Sequence, residues 1–242
     1  MTELKGKRAL VTGGGAGGYG FGIAKALKNA GAEVWITGRN QAKLDKAAAE
    51  LGVHAVQADV SVGADWDNAL AAMDNRIDIL VNNAGAGGPI LPVAEQKDDD
   101  IAATIATNLT GVIMGCSRVA KIMMAQKSGD IINISSVCAL YAWPAWSVYT
   151  AAKAGLSKFS HGLYTELRPH GVRVTCLTPS WGQTGFNKAA GITGASEDPA
   201  LASKCTAPEE LGELVKTILE TPDHLAIPDV VLQPMVQAIE PM

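Results

Sequence analysis

Residues 8–22 read Arg-Ala-Leu-Val-Thr-Gly-Gly-Gly-Ala-Gly-Gly-Tyr-Gly-Phe-Gly. The short apolar run from Arg8 to Thr12 has strand character and breaks into seven glycines within ten residues, Gly13 to Gly22. Apolar positions at Ile23, Ala24, Ala26 and Leu27 then recur with a helical period until Gly31 closes the helix. In this strand–turn–helix setting a backbone turns tightly and approaches a pyrophosphate with no Cβ in the way. A merely flexible loop would not need the flanking strand and helix.

Outward from that stretch the alternation continues. Glu33 to Thr37 reads as a strand, Gln41 to Leu51 as an Ala/Lys/Glu-rich helix, and His54 to Ala58 as a strand ending at Asp59. Asp67 to Met73 reads as helix, and Ile77 to Val81 as a fourth strand running into Asn82-Asn83-Ala84-Gly85. Asp98, Asp99 and Asp100 suit the N-terminus of one long helix expected from Ile101 to about Ala125. Asp130 to Ser135 is a fifth strand, and Ser147 to Leu167 a second long helix stopped by Pro169 and Gly171. Val172 to Thr178, the helix Pro208 to Leu219 and a strand at Ile227 to Leu232 complete the series. The pattern implies one α/β domain over 1–242: a doubly wound parallel sheet of about seven strands with helices on both faces. A cofactor half would occupy about 1–130, and a catalytic and substrate half about 131–242.

Composition excludes several classes. With 48% apolar and 18% charged residues the chain is no disordered segment. A net charge of −4 gives no footprint for nucleic acid or an anionic membrane. No apolar run reaches the ~18 residues of a membrane helix, and no signal-peptide pattern precedes the first strand. Cys116, Cys138, Cys176 and Cys205 form no CxxC pair and the four histidines are scattered. That argues against a disulfide framework or a Cys/His metal site, and for a cytoplasmic protein; an all-oxygen metal site stays open.

Two clusters carry chemistry. At the tip of the second strand, where an acidic residue would hold the 2′-hydroxyl of NAD, the chain reads Gly38-Arg39-Asn40. A guanidinium suits a 2′-phosphate, so Arg39 points to NADP(H), unless it is a surface arginine in a turn. Farther along, Tyr149 and Lys153 stand four apart at the start of a long helix, on one face. A phenol titrates near pH 10; an ammonium and an oxidised nicotinamide beside it would draw that value down. Ser136 lies thirteen residues before Tyr149 at the carboxyl end of the fifth strand, and Asn108 lies in the preceding long helix.

With these residues together the sequence resembles the short-chain dehydrogenase/reductase family over residues 5 to about 185. The features are the glycine loop after Thr12, Asp59, the Asn82-Asn83-Ala84-Gly85 tetrapeptide, Asn108, Ile134-Ser135-Ser136, and Tyr149 with Lys153. The resemblance implies a Rossmann-like fold and an Asn-Ser-Tyr-Lys tetrad. In it Tyr149 is the general acid/base, Ser136 holds the substrate oxygen, Lys153 lowers the Tyr149 pKa and binds the nicotinamide ribose, and Asn108 orders a proton-relay water. It further implies cofactor contacts from Gly13, Gly14, Gly15, Gly18, Tyr19, Gly20, Arg39, Asn40, Asp59 and Val60. Asn83, Ala84, Gly85, Pro179 and Thr184 join them, and a homotetramer is implied, with a dimer as the alternative. Two departures stand out. The glycine loop carries one residue more than the family's usual Thr-Gly-x3-Gly-x-Gly, and the chain reads Pro179-Ser180-Trp181-Gly182 where a Pro-Gly pair and then a β-branched residue are common.

The substrate end is expected from residues after Gly85, from Cys138 to Ser147, and from a lid-forming loop of about 181–205. Cys138, Trp143, Trp146, Trp181 and Phe186, with Ser136, are the candidate contacts. The tryptophans alternatively pack between subunits. No Arg or Lys falls among these positions, Lys188 being the nearest, so a neutral apolar or aromatic ketone and its secondary alcohol fit best. The leading expectation is an NADP(H)-dependent carbonyl reductase or alcohol dehydrogenase. The alternatives are an NAD-dependent dehydrogenase of a polyol or sugar, and a non-catalytic nucleotide-binding protein on the same fold. His161 reads as structural, and Cys138 as a wall residue rather than a nucleophile.

Overall fold

The computed structural model describes residues 2–15 and 17–238; Ala16 of the glycine stretch lies outside them. Seven strands form one sheet: β1 (Arg8–Thr12), β2 (Glu33–Gly38), β3 (His54–Gln57), β4 (Ile79–Asn82), β5 (Gly129–Ile134), β6 (Val172–Pro179) and β7 (Asp229–Leu232). Their order is β3-β2-β1-β4-β5-β6-β7, and every neighbouring pair is parallel. The helices are α1 (Tyr19–Asn29), α2 (Gln41–Leu51), α3 (Gly63–Ala71), α4 (Asp98–Ile105), α5 (Gly111–Gln126), α6 (Ser147–Leu167), α7 (Phe186–Ala190) and α8 (Pro208–Leu219). Among the described residues no helix is long and apolar enough to cross a membrane.

Alternate strand residues enter two buried layers. Ala9, Val11, Val34, Ile36, Ile79 and Val81 face a core completed by α1, α2 and α8. Leu10, Trp35, Leu80 and Ile131 face a second core completed by α3, α5 and α6. Burial on both faces is why these strands read as continuous apolar runs. Strand order reverses between β1 and β4, so the chain leaves these neighbours in opposite directions and opens a crevice at their carboxyl ends.

Most boundaries fall within two residues of the sequence reading. Two do not. The helix expected at Asp67 begins at Gly63. The Asp59 carboxylate accepts the Ser61 N–H at 2.9 Å and hydroxyl at 2.7 Å, and Asp65 accepts the Asp59 N–H at 2.8 Å. That turn ends β3 early and launches α3, whose buried Trp66 donates to the Val60 carbonyl at 2.9 Å. The long helix expected from Ile101 to Ala125 starts at Asp98 and is broken into α4 and α5 by a π turn at Ala106–Thr110. A π turn inserts a residue without interrupting the apolar face, so periodicity alone does not reveal it.

Candidate active site

A cleft of about 600 Å³ opens along the carboxyl ends of the strands, a size typical of ligand sites. Its nucleotide end begins where β1 meets β4. The Thr12 hydroxyl accepts the backbone N–H groups of Asn83 and Ala84, each at 3.0 Å, and Asn83 Nδ2 donates to the Thr12 carbonyl at 2.9 Å and to that of Gly13 at 3.3 Å. Gly13, at φ +68°, lies so close to the Ala84 backbone that a Cβ would come within 2.9 Å of its Cα. The glycine stretch is thereby stitched to the end of β4.

Gly18 caps α1 with no side-chain hydrogen bond, and no acidic residue stands in the first turn. A Cβ at Gly18 would meet nothing within 4 Å, so this rim of the cleft is bare backbone at the positive end of a helix. With Arg39 also on the wall, these residues fit the pyrophosphate of a nicotinamide dinucleotide.

Of the sequence-derived cofactor positions, Gly13, Gly18, Tyr19, Arg39, Asn83, Ala84, Gly85, Pro179 and Thr184 line the cleft together with Tyr149 and Lys153. Gly14, Gly15, Gly20, Asn40, Asp59 and Val60 do not. Gly14 packs on Ile36, Gly15 faces Lys43, and Gly20 backs the Gly13 carbonyl and Asn83. The Asn40 side chain accepts the Lys43 N–H at 3.0 Å and caps α2. Asp59 and Val60 build the turn before α3.

The four tetrad residues converge from three elements. Asn108, fully buried in the π turn, donates through Nδ2 to the carbonyls of Ala86 at 2.6 Å and Thr104 at 2.9 Å, and accepts the Ala86 N–H at 3.2 Å. A Cβ on Gly85 would lie 3.0 Å from Asn108 Oδ1 and 3.6 Å from Lys153 Nζ, so both side chains approach the end of the Asn-Asn-Ala-Gly segment. Lys153 is buried, donates to the Ile134 carbonyl at 2.9 Å, and holds its ammonium 5.8 Å from the centre of the Tyr149 ring. Ser136 follows β5, and its hydroxyl accepts the Cys138 N–H at 3.2 Å.

Burial dominates the electrostatics of the site. Burial raises the Tyr149 phenol above its usual range, with the Ser136 hydroxyl acting in the opposite direction. Burial also brings Lys153 down to about 8. Desolvation is thus the largest influence on both groups.

Beyond the tetrad the wall is aromatic. Trp146 lies 5.8 Å from Tyr149 and 6.3 Å from Phe186, whose ring is 5.3 Å from Tyr149, closing a triangle of rings. Ala145, at φ +70°, is a strained position immediately before Trp146. Cys138, Trp143 and Trp181 complete the expected set, all on the cleft; burial raises the Cys138 thiol, as suits a wall residue. Among the described residues, Arg39 and Lys153 are the cleft's only basic side chains, no carboxylate lines it, and no cluster of three or more metal-ligating groups occurs. His161 pairs with Asp229 at 2.5 Å, off the cleft.

Sequence reasoning missed several wall residues. Asn187, Ala189 and Ala195 come from α7 and the segment after it, and Gln237 from the turn following β7. The Ser180 hydroxyl donates to the buried Gln237 side chain, which brings the C-terminal turn to the cleft. Only the Ser180 departure from Pro-Gly hinted at this. Sequence reasoning also passed over a buried polar chain behind the site: Asn82 donates to Asn133 at 2.8 Å, Asn133 to Ser160 at 2.9 Å, linking β4, β5 and α6.

The chain is similar to known proteins in sequence and fold. The family model described as short chain dehydrogenase matches residues 7–193. Serine 3-dehydrogenase of Agrobacterium fabrum is 31% identical over 236 residues, 95% of this chain and 94% of that protein. The 3-oxoacyl-(acyl-carrier-protein) reductase FabG of Chlamydia trachomatis is 38% identical over 196 residues, 77% of this chain and 78% of that one. Among solved structures, the closed form of serine dehydrogenase complexed with NADP+ superposes with a TM-score of 0.88 at 30% identity, covering 97% of this chain and 98% of the other. The glycine-lined crevice, the convergence of Asn108, Ser136, Tyr149 and Lys153, and these matches agree: the chain belongs to the short-chain dehydrogenase family.

Proposed function

We propose that the protein is an NADP(H)-dependent carbonyl reductase that interconverts neutral, apolar or aromatic ketones with their secondary alcohols. The observation that carries this reading is the division of charge in the cleft: Arg39 at the nucleotide end, Lys153 within the tetrad, and uncharged aromatic side chains around the substrate end. The serine 3-dehydrogenase relatives take, by their name, an amino acid. A carboxylate substrate wants a fixed cation, and Lys188, exposed on α7, is not on the wall.

Gly13, Gly18, Arg39 and Lys153 would hold the dinucleotide, which would supply or accept the hydride. The chain's own groups align the substrate and handle one proton. Ser136 donates a hydrogen bond to the carbonyl oxygen, and Tyr149 gives that oxygen its proton. Lys153, charged below about 8, stabilises the phenolate left behind. Asn108, held by Ala86 and Thr104, keeps its stretch of the π turn in register with Lys153 for proton resupply. Exposed Ile113 and Met124 on α5 support the helix pairing expected of a homotetramer.

The test is a panel of aryl ketones and ketoacids of matched size, run with NADPH and with NADH. Faster turnover of aryl ketones with NADPH is expected. Faster turnover of the ketoacids, or a preference for NADH, overturns the reading.

A further inference from the structure

Tyr19, the first residue of α1, is flanked in sequence by Gly18 and Gly20, and its ring lines the cleft. Its hydroxyl is buried without a hydrogen-bond partner, with Thr206 beside it. Such a group is costly, so its place calls for a reason. The reason lies opposite. A Cβ on Gly182 would overlap the Tyr19 hydroxyl and its ring carbon, so the phenol occupies the space of the side chain that residue 182 lacks. The glycine that departs from the family's β-branched residue is thus matched by an aromatic ring on the nucleotide loop.

Gly182 also sits at a junction. It bridges Thr206 in parallel fashion; Gln183 N–H donates to the Thr206 carbonyl, and Thr206 N–H to that of Trp181, both at 2.9 Å. The Gln183 side chain donates to the carbonyls of Ala202 at 2.9 Å and Cys205 at 3.0 Å. The segment between, 183–205, arches outward with α7 and brings Phe186 against Tyr149. Past Thr206 the chain enters α8, and the Pro208 carbonyl packs directly on Gly22, one turn along α1 from Tyr19. Both roots of the arch therefore meet the same turn of α1.

We propose that Tyr19 is the positioning residue that registers both roots of the 183–205 arch against the nucleotide loop. The height of Phe186 over Ser136 and Tyr149 is then set by one phenol, and the loop that holds the dinucleotide and the arch that covers the substrate move as one body. This coupling rests on the carbonyl-reductase reading only where turnover is measured.

A size-swap cycle tests it, using wild type, Tyr19→Ile, Gly182→Val, the double variant and Tyr19→Phe. The first readout needs no substrate: tryptic nicking after Lys188 and Lys204, both exposed on the arch, with and without NADPH. Gly182→Val, forced against the phenol, is expected to be nicked about tenfold faster than wild type, and the double variant to return to within about threefold of it. Tyr19→Phe keeps the ring and is expected to be nicked at the wild-type rate in the absence of NADPH. The second readout is steady-state reduction of an aryl ketone at saturating NADPH: Gly182→Val raises the ketone KM about tenfold while kcat changes less than about threefold. A double variant nicked as fast as Gly182→Val, or a Gly182→Val as protected as wild type, overturns the proposal. Should wild type reduce no aryl ketone, the carbonyl-reductase reading fails, and the nicking comparison still decides the coupling.

Discussion

Lys153 is the only lysine or arginine buried inside the fold among the described residues, and its removal has a calculable effect. Burial takes its pKa from 10.5 to about 8. That fall corresponds to about 3 kcal/mol of strain in holding the ammonium charged at pH 7. Methionine spans nearly the same length without charge. Lys153→Met relieves the strain and gives up the hydrogen bond to Ile134, worth about 1 kcal/mol, leaving a net gain of about 2 kcal/mol. The gain must vanish with pH. Because the folded pKa lies below the unfolded one, between about 8 and 10.5 the unfolded chain keeps a proton that the folded chain has released. Wild-type stability therefore rises through this window, whereas methionine does not titrate. Urea unfolding followed by tryptophan fluorescence, from pH 7 to pH 10.5, reads both midpoint and slope. The expected advantage of Lys153→Met is about 2 kcal/mol at pH 7, falling to zero or slightly below by pH 10.5. No advantage at pH 7, or one that persists unchanged at pH 10.5, refutes the reasoning. Carbonyl reduction by the same variant should drop about 100-fold or more, the exchange of stability for activity expected of a charged group held in a dry site.

Three other outcomes are expected. Arg39→Asp should raise the KM for NADPH about tenfold or more while leaving that for NADH within about twofold; equal effects on both would contradict a 2′-phosphate contact. Tyr149→Phe should bind NADPH with wild-type affinity by fluorescence titration yet lose about 10²–10⁴ in kcat, and substantial retained turnover would remove it as the proton donor. Gly87→Ala places a Cβ 2.9 Å from both the Ala190 Cβ and the Phe186 ring, so α7 must lift by roughly 1 Å to restore ordinary contact. The ketone KM should then rise about tenfold with NADPH affinity unchanged, and an unaltered KM would show that α7 does not seat on Gly87.

Much of this architecture is legible from residue order because strands buried on both faces and a glycine burst at the first turn are strong local signals. Arg8–Thr12, Gln41–Leu51, Ser147–Leu167 and Pro208–Leu219 emerge with the expected ends. What is not legible arises from contacts between distant residues. The π turn at Asn108 preserves the apolar face that periodicity detects. The single turn of α7 has no pattern of its own and gains its place by packing Phe186 and Ala190 on Gly87. Gln237 reaches the cleft through Ser180, 57 positions away. The charge of Lys153 is visible in the sequence, but not the burial that governs both it and Tyr149. Gly182 reads as a departure until Tyr19 is seen filling its space.

The crossing of α1 and α8, where a Cβ at Gly22 would strike the Pro208 carbonyl and one at Gly212 would strike that of Gly22, joins backbones 190 positions apart. Ile23 and Leu27 on α1 share their core with Leu211 and Val215 on α8. The strands β1 and β2 and helix α2 cover part of the apolar face of α1, and α8 covers the rest, so full burial of the helix that carries the nucleotide loop needs a long-range contact. The core beneath the nucleotide loop is thus completed by Leu211, Val215 and Ile218 of α8. Firm seating of the nucleotide loop therefore depends on a contact that closes after the local turns of α1 have formed.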